Sequence, residues 1–215
     1  MRSGHIGCRL AVLHIVMPNV DPALRARLDA LIEEGAELFD RFDREVRDKR
    51  FHPFVAASYD TVCDALIELR AGLPQRERRS RFLEWGSATG VVAIMADMLG
   101  FEACGIEIDD RLVATARDLA KRHGSGARFA AGSFVPAGYR WKPKAGDGRM
   151  GTIGTGRLAY PELGYGLDDF DVVYGYPWDG EQPMMQDIMR LHGAPDAILL
   201  LMDPVAGLHV DKRAD

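Results

Sequence analysis

The stretch FLEWGSATGV at residues 82–91 decides how the chain folds. Its first four residues form a short apolar run that is typical of a buried strand, and residues 91–99 continue with the composition of a helix. Glycines between a strand and a helix let the backbone pass close to a ligand and direct the amides of the helix N-terminus toward it. We therefore expect a ligand to bind where this first strand ends.

Short apolar runs alternate with helical stretches from this point onward. The predicted strands lie at residues 82–85, 103–108, 127–130, 170–174 and 197–202, and the predicted helices at 91–99, 110–122 and 181–191. Such alternation predicts parallel βαβ units, that is, an α/β fold with a doubly wound, mostly parallel sheet covered by helices on both faces. Because 13 residues follow Met202, we expect a shortened C-terminal end with one extra strand near residues 208–212.

The segment before the first strand has a helical pattern instead. Asp21 followed by a proline is typical of a helix start, and apolar residues recur at three- and four-residue steps through residues 22–49. A second helix is predicted to begin near residue 56. The expected organisation is an N-terminal segment and helical cap at residues 1–80, packed as one unit with an α/β domain at residues 81–215.

The linker at residues 71–81 is strongly basic. It contains four arginines, Arg76, Arg78, Arg79 and Arg81. Two interpretations stay open: the arginines contact an anionic substrate, or they belong to a solvated linker.

Composition limits the classes of function. With 215 residues, 47% hydrophobic and 27% charged, the sequence is typical of a folded globular protein, and its net charge of −5 argues against bulk nucleic-acid binding. Three cysteines without a C-x-x-C pair argue against a disulfide framework or a metal site and favour a cytoplasmic location. Since no apolar run approaches the roughly 20 residues that a bilayer crossing needs, no membrane partner is expected.

The glycine loop fits the dinucleotide fingerprint poorly. Ala88 and Val91 occupy the second and third glycine positions of G-x-G-x-x-G. A better description is E-x-G-x-G-x-G, with Glu84 two places before Gly86 and Ala88 in the middle position. A carboxylate at that place suits a ligand that carries a cation rather than a pyrophosphate.

Glu107 closes the second predicted strand, 23 residues after Glu84. An acid about 20 residues beyond such a loop, at the end of the next strand, accepts hydrogen bonds from the hydroxyls of a ribose. The other interpretation is that Glu107 caps the following helix, although Asp109 and Asp110 are better placed for that role. We therefore expect Glu107 to bind a sugar.

Three segments together resemble motifs I, II and IV of the class I S-adenosylmethionine-dependent methyltransferases: LEWGSATG at 83–90, GIEID at 105–109 and DVVY at 171–174. The resemblance covers residues 82–202 and implies a Rossmann-like fold with S-adenosylmethionine as cofactor. The methionine part of the cofactor would lie along the glycine loop. The residues that the resemblance places at the cofactor are Glu84, Gly86, Ser87, Ala88, Gly90, Glu107, Ile108, Ser133 and Phe134.

The end of the fourth predicted strand is similar to the D/N-P-P-Y/F/W motif of family members that methylate amines. Gly175 offers no side chain to accept amine protons and Tyr176 replaces the first proline, so this motif favours an amine acceptor less than the family pattern does. The resemblance makes Tyr176, Pro177 and Trp178 the predicted catalytic residues, with two rings that stabilise the sulfonium. The other interpretation is that both rings close the core.

The resemblance implies an S-adenosylmethionine-dependent methyltransferase that acts on a small-molecule or protein acceptor. Two alternatives stay open: a noncatalytic S-adenosylmethionine-binding module, and a nicotinamide-dependent oxidoreductase, for which Glu107 also fits. The residues that we expect to shape the substrate pocket are Tyr59 and, on a long loop at residues 139–166, Trp141, Tyr160 and Tyr165. Candidates for a general base, where the acceptor needs one, are Asp179, Glu181, Tyr176 and His52.

Overall fold

The computed structural model describes residues 20–46, 57–140, 156–177, 180–203 and 207–212. Within these residues, six strands form one sheet in the order β3-β2-β1-β4-β5-β6. The first five are parallel, and β6 runs antiparallel to β5. The strands are β1 Arg81–Trp85, β2 Glu102–Glu107, β3 Arg128–Ala131, β4 Val172–Gly175, β5 Ile198–Asp203 and β6 Gly207–Lys212. The predicted doubly wound, mostly parallel α/β fold is confirmed.

Helices cover both faces of the sheet. They are α1 Pro22–Val46, α2 Tyr59–Gly72, α3 Val91–Met98, α4 Asp110–Arg122, α5 Tyr160–Leu163 and α6 Gln182–His192, with a 3₁₀ turn at Leu167–Asp169. Helices α1, α2, α3 and α4 pack on one face of the sheet and form a first core cluster with it. Helix α5, the 3₁₀ turn and α6 pack on the other face and form a second cluster. Because side chains alternate along a strand, Phe82 and Tyr174 point into the first cluster, whereas Leu83 and Trp85 point into the second.

The helical cap packs closely on the first of these faces. Leu28 and Leu31 of α1 are fully buried. A methyl group built on Gly35 of α1 would lie 2.6 Å from the Val91 side chain, so the approach of α1 to α3 requires glycine at this position. The predicted cap is confirmed, with α1 ending about three residues earlier than expected and α2 beginning about three residues later.

The basic linker lies at the N-terminal ends of the parallel strands, here called the amino edge of the sheet, and the glycine loop lies at the opposite end. Arg76 and Arg78 donate to the carboxylate of Asp171, which precedes β4, at 2.6–3.0 Å. Arg79 pairs with Asp97 at 2.8 Å, and Arg81 with Glu102 at 3.2 Å. Although burial opposes it, the hydrogen bonds that Asp171 accepts lower the pKa of its carboxyl group. The linker arginines are therefore held in ion pairs with the chain's own carboxylates, which neither interpretation from sequence anticipated.

The extra strand expected near residues 208–212 is present as β6. β6 pairs with β5 from Asp203↔Gly207 to Ile198↔Lys212, and it is the single strand that the structure describes after β5. The predicted long loop at 139–166 is corrected in its last part, because α5 and buried Leu163 lie within it.

Two sequence predictions cannot be followed further in the structure. Trp141 lies outside the described residues. None of the described helices is long and apolar enough to cross a bilayer, and the cytoplasmic location stays a prediction.

Candidate cofactor site

The loop from Gly86 to Gly90 leaves β1 in a conformation that most side chains avoid. Gly86, Ala88 and Gly90 have φ values of +67°, +45° and +79°. At Gly90 a methyl group would lie 2.6 Å from the Phe129 ring, so glycine is required there both by conformation and by space. A non-glycine residue such as Ala88 in this region carries strain that typically occurs at functional sites.

The loop is seated on β2 and open on its outer side. The Ser87 amide donates to the Ile106 carbonyl at 2.9 Å, and a methyl group on Gly105 would lie 2.7 Å from the Ser87 hydroxyl oxygen. Around Gly86, by contrast, a methyl group would meet no atom within 4 Å. The Ser87 hydroxyl is buried without a hydrogen-bond partner among the described residues. The open stretch of backbone at Gly86 leaves room for a polar ligand lying along the loop, whereas the Ser87 hydroxyl faces Gly105 on the inner side.

Glu107 ties the end of β2 to this loop. One of its oxygens accepts the Ala88 amide at 2.9 Å, and the other accepts the amides of Ile108 and Asp109 at 2.7 and 3.0 Å. Burial raises the pKa of this carboxyl group. A carboxylate can accept about four hydrogen bonds, so Glu107 keeps capacity for a ligand hydroxyl. The helix cap of α4 is Asp109, which accepts the Arg111 amide at 2.8 Å.

Glu84 has a structural role that the sequence did not reveal. Its carboxylate accepts the amide of Ala93, the third residue of α3, at 2.9 Å. Gly90 stands at the N-cap of α3 and has no side chain with which to cap it, so Glu84 supplies this hydrogen bond from the sheet. Burial raises the pKa of Glu84 well above its ordinary value, and the charge of Glu107 raises it further. The two predicted acids thus lie close together beneath the same loop.

The remaining residues that the resemblance places at the cofactor, Ile108, Ser133 and Phe134, lie in different environments. The Ser133 hydroxyl accepts the amide of Val135 at 3.1 Å, so it stabilises its own turn. The Phe134 ring stacks on Trp85 with centroids 4.9 Å apart, on the core side of the sheet. A methyl group on Gly156 would lie 3.6 Å from Ile108 and 3.7 Å from Ser133. Backbone at residue 156 therefore lines the gap between Ile108 and Ser133, and the Phe134 ring faces away from it.

Tyr160 belongs to the core and not to the substrate pocket that we expected it to shape. Trp85 donates its indole N–H to the Tyr160 hydroxyl at 3.0 Å, and this hydroxyl donates to the Phe134 carbonyl at 2.9 Å. Burial raises the pKa of the phenol. The chain of hydrogen bonds joins the end of β1 to the turn after β3. Tyr165 lies at the amino edge, with Arg81 4.2 Å above its ring, and it also falls outside the expected pocket.

The end of β4 presents Tyr176, and not residue 175, to the crevice face. A methyl group on Gly175 would lie 3.0 Å from the sulfur of Met185, so position 175 faces α6. Tyr176 packs against the cluster on the other face and is half-buried, as is Pro177. Trp178 lies outside the described residues, so its predicted role stays a prediction.

Two further tyrosines lie at this end of the sheet. Tyr174 is 2% exposed, and its hydroxyl has no hydrogen-bond partner within the described part of the chain. Tyr59, at the start of α2, lies beside Thr89 of the glycine loop; burial raises its pKa, and the charge of Glu84 adds to this effect. Tyr59 thus lies near the glycine loop, and its expected role in the substrate pocket stays a prediction.

Of the three remaining candidates for a general base, only Glu181 lies within the described residues. Glu181 is buried just before α6, with 2% exposure. Asp179 and His52 lie outside the described residues.

Comparison with known proteins gives one curated relative and several structural likenesses. No family model matches the chain. The ribosomal protein L11 methyltransferase of Thermus thermophilus is 40% identical over 57 residues, which are 26% of this chain and 22% of that protein. The curated match therefore spans about a fifth of the relative's length.

The structural likenesses are distant. An RNA methyltransferase from Salinibacter ruber, solved in complex with S-adenosyl-L-homocysteine, is 20% identical with a TM-score of 0.44 over 69% of this chain and 76% of its own. The S-adenosylmethionine-dependent methyltransferase from Agrobacterium tumefaciens is 16% identical, with a TM-score of 0.45, over 73% and 50% of the two chains. The precorrin-6y C5,15-methyltransferase from Geobacter metallireducens is 15% identical, with a TM-score of 0.46, over 72% and 68%. The curated protein that this chain resembles over 57 residues is a methyltransferase.

Proposed function

We propose that this chain binds S-adenosylmethionine and transfers its methyl group to a small-molecule or protein acceptor. The observation that carries the proposal is the hydrogen bond between the Ala88 amide and Glu107. It joins an open backbone loop, suited to an amino-acid tail, to a carboxylate suited to a ribose, along one crevice at the carboxyl ends of β1 and β2. Parallel α/β sheets bind their ligands at this edge.

The described residues fit the parts of this cofactor. Gly86 leaves space along the loop, and Ile108 provides an apolar wall for the base. Glu107 supplies a carboxylate beneath the loop, which suits a ligand whose ammonium and sulfonium groups are cationic. When bound, the cofactor supplies an electrophilic methyl group. What the protein adds is the alignment of the acceptor with that group, which can contribute several kcal/mol.

A nicotinamide cofactor fits the loop less well. The second glycine of the dinucleotide fingerprint lets the backbone approach a pyrophosphate, and this chain has Ala88 there, in a left-handed conformation. Two acids beneath the loop also disfavour a phosphate group. The proposal therefore prefers the sulfonium cofactor to NAD.

Titration calorimetry with S-adenosylmethionine, S-adenosylhomocysteine and NAD tests the cofactor. We expect both sulfur compounds to bind and NAD to bind at least tenfold more weakly; preference for NAD would contradict the proposal. Transfer of a radiolabelled methyl group to small-molecule and protein fractions then tests catalysis. If the cofactor binds without any transfer, the chain is a noncatalytic binding module. The roles of Tyr176, Pro177 and Trp178 at the acceptor stay predictions of this proposal.

A further inference from the structure

A cavity of about 600 Å³ lies at the amino edge of the sheet, between the end of α2 and the basic linker. Its walls are partly apolar, because Ile67 is 5% exposed and Leu73 and Leu99 are half-buried. Among the described residues no acidic side chain lines it, but three arginines do: Arg70, Arg76 and Arg78. A cavity of this volume, mostly apolar with a few polar groups, is typical of sites for small molecules.

Two of the arginines share a single carboxylate, that of Asp171. Arg76 donates to it at 2.7 Å, and Arg78 donates to both of its oxygens at 2.6 and 3.0 Å. Asp171 also accepts the main-chain amide of Arg81 at 2.7 Å. Four hydrogen bonds fill the capacity of a carboxylate, whereas each guanidinium group has five N–H donors. Arg76 and Arg78 are therefore held in place with donors left over and with only one of their two charges neutralised.

The third arginine, Arg70, is held without a carboxylate. Its guanidinium carbon lies 5.8 Å from the centre of the Phe101 ring, and a methyl group on Gly100 would lie 3.7 Å from its Nε atom. The side chain is half-buried and forms no ion pair with any described residue. Three positive charges thus stand against one carboxylate at this cavity, which leaves an excess of two. Glu77 is exposed and is not among the residues that line it.

We infer that this cavity binds a small phosphomonoester whose apolar part lies against α2. A phosphomonoester carries about −1.5 to −2 charges at pH 7, which matches the excess, and guanidinium groups bind phosphate through paired N–H donors. The apolar walls favour an ester over free phosphate. A nucleic-acid strand fits less well, because the other two linker arginines, Arg79 and Arg81, are paired with Asp97 and Glu102 and do not extend the positive surface.

This cavity is separate from the cofactor crevice. Strand β1 has five residues and rises about 3.3 Å per residue, so the two edges of the sheet lie roughly 15 Å apart. A small molecule at the amino edge therefore cannot receive a methyl group from a cofactor at the glycine loop. The inference goes beyond the proposed function and does not depend on it.

Titration calorimetry in a phosphate-free buffer tests the inference. The probes are phenyl phosphate, inorganic phosphate, phenol and a short oligouridine with unphosphorylated ends. We expect phenyl phosphate to bind at least tenfold more tightly than each of the other probes, and its Kd to stay within twofold when S-adenosylhomocysteine is present at saturation. Arg70→Gln should raise this Kd about 10- to 100-fold, since it removes charge-assisted donors. Arg27→Gln removes an exposed charge from α1 and is the matched control, with less than a twofold change.

Several results would overturn the inference. They are no binding of phenyl phosphate, equally tight binding of inorganic phosphate, tighter binding of oligouridine, and displacement of phenyl phosphate by S-adenosylhomocysteine, which would place it in the crevice. Wild-type affinity in a folded Arg70→Gln variant would do the same. Thermal unfolding without ligand checks the fold; if Arg70→Gln is unfolded, Arg76→Gln replaces it, because Arg78 keeps two hydrogen bonds to Asp171. Failure of S-adenosylhomocysteine to bind would count against the proposed function alone.

Discussion

Replacing Glu107 with glutamine removes one charge and keeps the shape of the side chain, so it tests the sugar site most directly. One oxygen of Glu107 accepts two main-chain amides and the other accepts the Ala88 amide. A glutamine amide has a single oxygen, so at least one main-chain N–H must face its NH₂ group. The same change weakens the charge-assisted hydrogen bond that a ribose hydroxyl would donate to Glu107. Such a bond contributes about 1.5–3 kcal/mol to the free energy of binding. We expect the Kd for S-adenosylhomocysteine to rise about 10- to 100-fold.

The measurement is titration calorimetry, with thermal unfolding of the ligand-free variant as a check on folding. Glu102→Gln is the matched control, because Glu102 begins the same strand and bonds to Tyr165 and Arg81 at the opposite edge. Its Kd should not change. If Glu107→Gln folds normally and binds with wild-type affinity, the sugar does not lie at the end of β2.

Three further predictions concern stability. Gly90→Ala should lower the free energy of unfolding by more than about 2 kcal/mol, because backbone strain and overpacking combine at this position. Gly124→Ala is the control: its φ is +62° but the space around it is open, so it should cost about 1 kcal/mol. Urea denaturation measures both values. Tyr160→Phe leaves two buried polar groups of its neighbours unpaired and should cost about 1–3 kcal/mol. In the same assay Tyr165→Phe should cost less, because its hydroxyl bonds to the Glu102 carboxylate, which water can still reach. Because burial raises the folded-state pKa of Glu84 above 4.5, its contribution to stability is largest below that pH and is lost as the pH rises toward the folded value. Urea midpoints from pH 4.5 upward should fall more steeply for the wild type than for Glu84→Gln, and parallel curves would show that Glu84 does not titrate in this range.

The sequence was sufficient for those features that depend on local pattern. Strand ends, the cap helices and the glycine loop were predicted within about three residues, because alternation, helical periodicity and glycine at a positive φ leave direct traces in the chain. These inferences needed no knowledge of which distant residues meet.

Features that depend on tertiary contacts were missed. The short helix α5 is stabilised by burial of Tyr160 and Leu163, and four residues carry too little periodicity to predict it. Glu84 reaches the amide of Ala93 only because α3 folds back over β1. The pairing of Arg78 with Asp171 spans 93 positions in the chain, and no local pattern could have indicated it.

A side chain at position 175 would point toward α6, and this affects how the specificity of the chain could be redesigned. An amide side chain introduced at position 175, to match the D/N-P-P-Y/F/W motif, would point at the Met185 thioether in the interior and would change the packing of the core. Libraries aimed at altered selectivity should vary position 176 instead. An alignment that compares such motifs letter by letter does not show which side of the sheet each residue faces. That orientation must be known before a substitution in the motif is taken as the loss of a functional side chain.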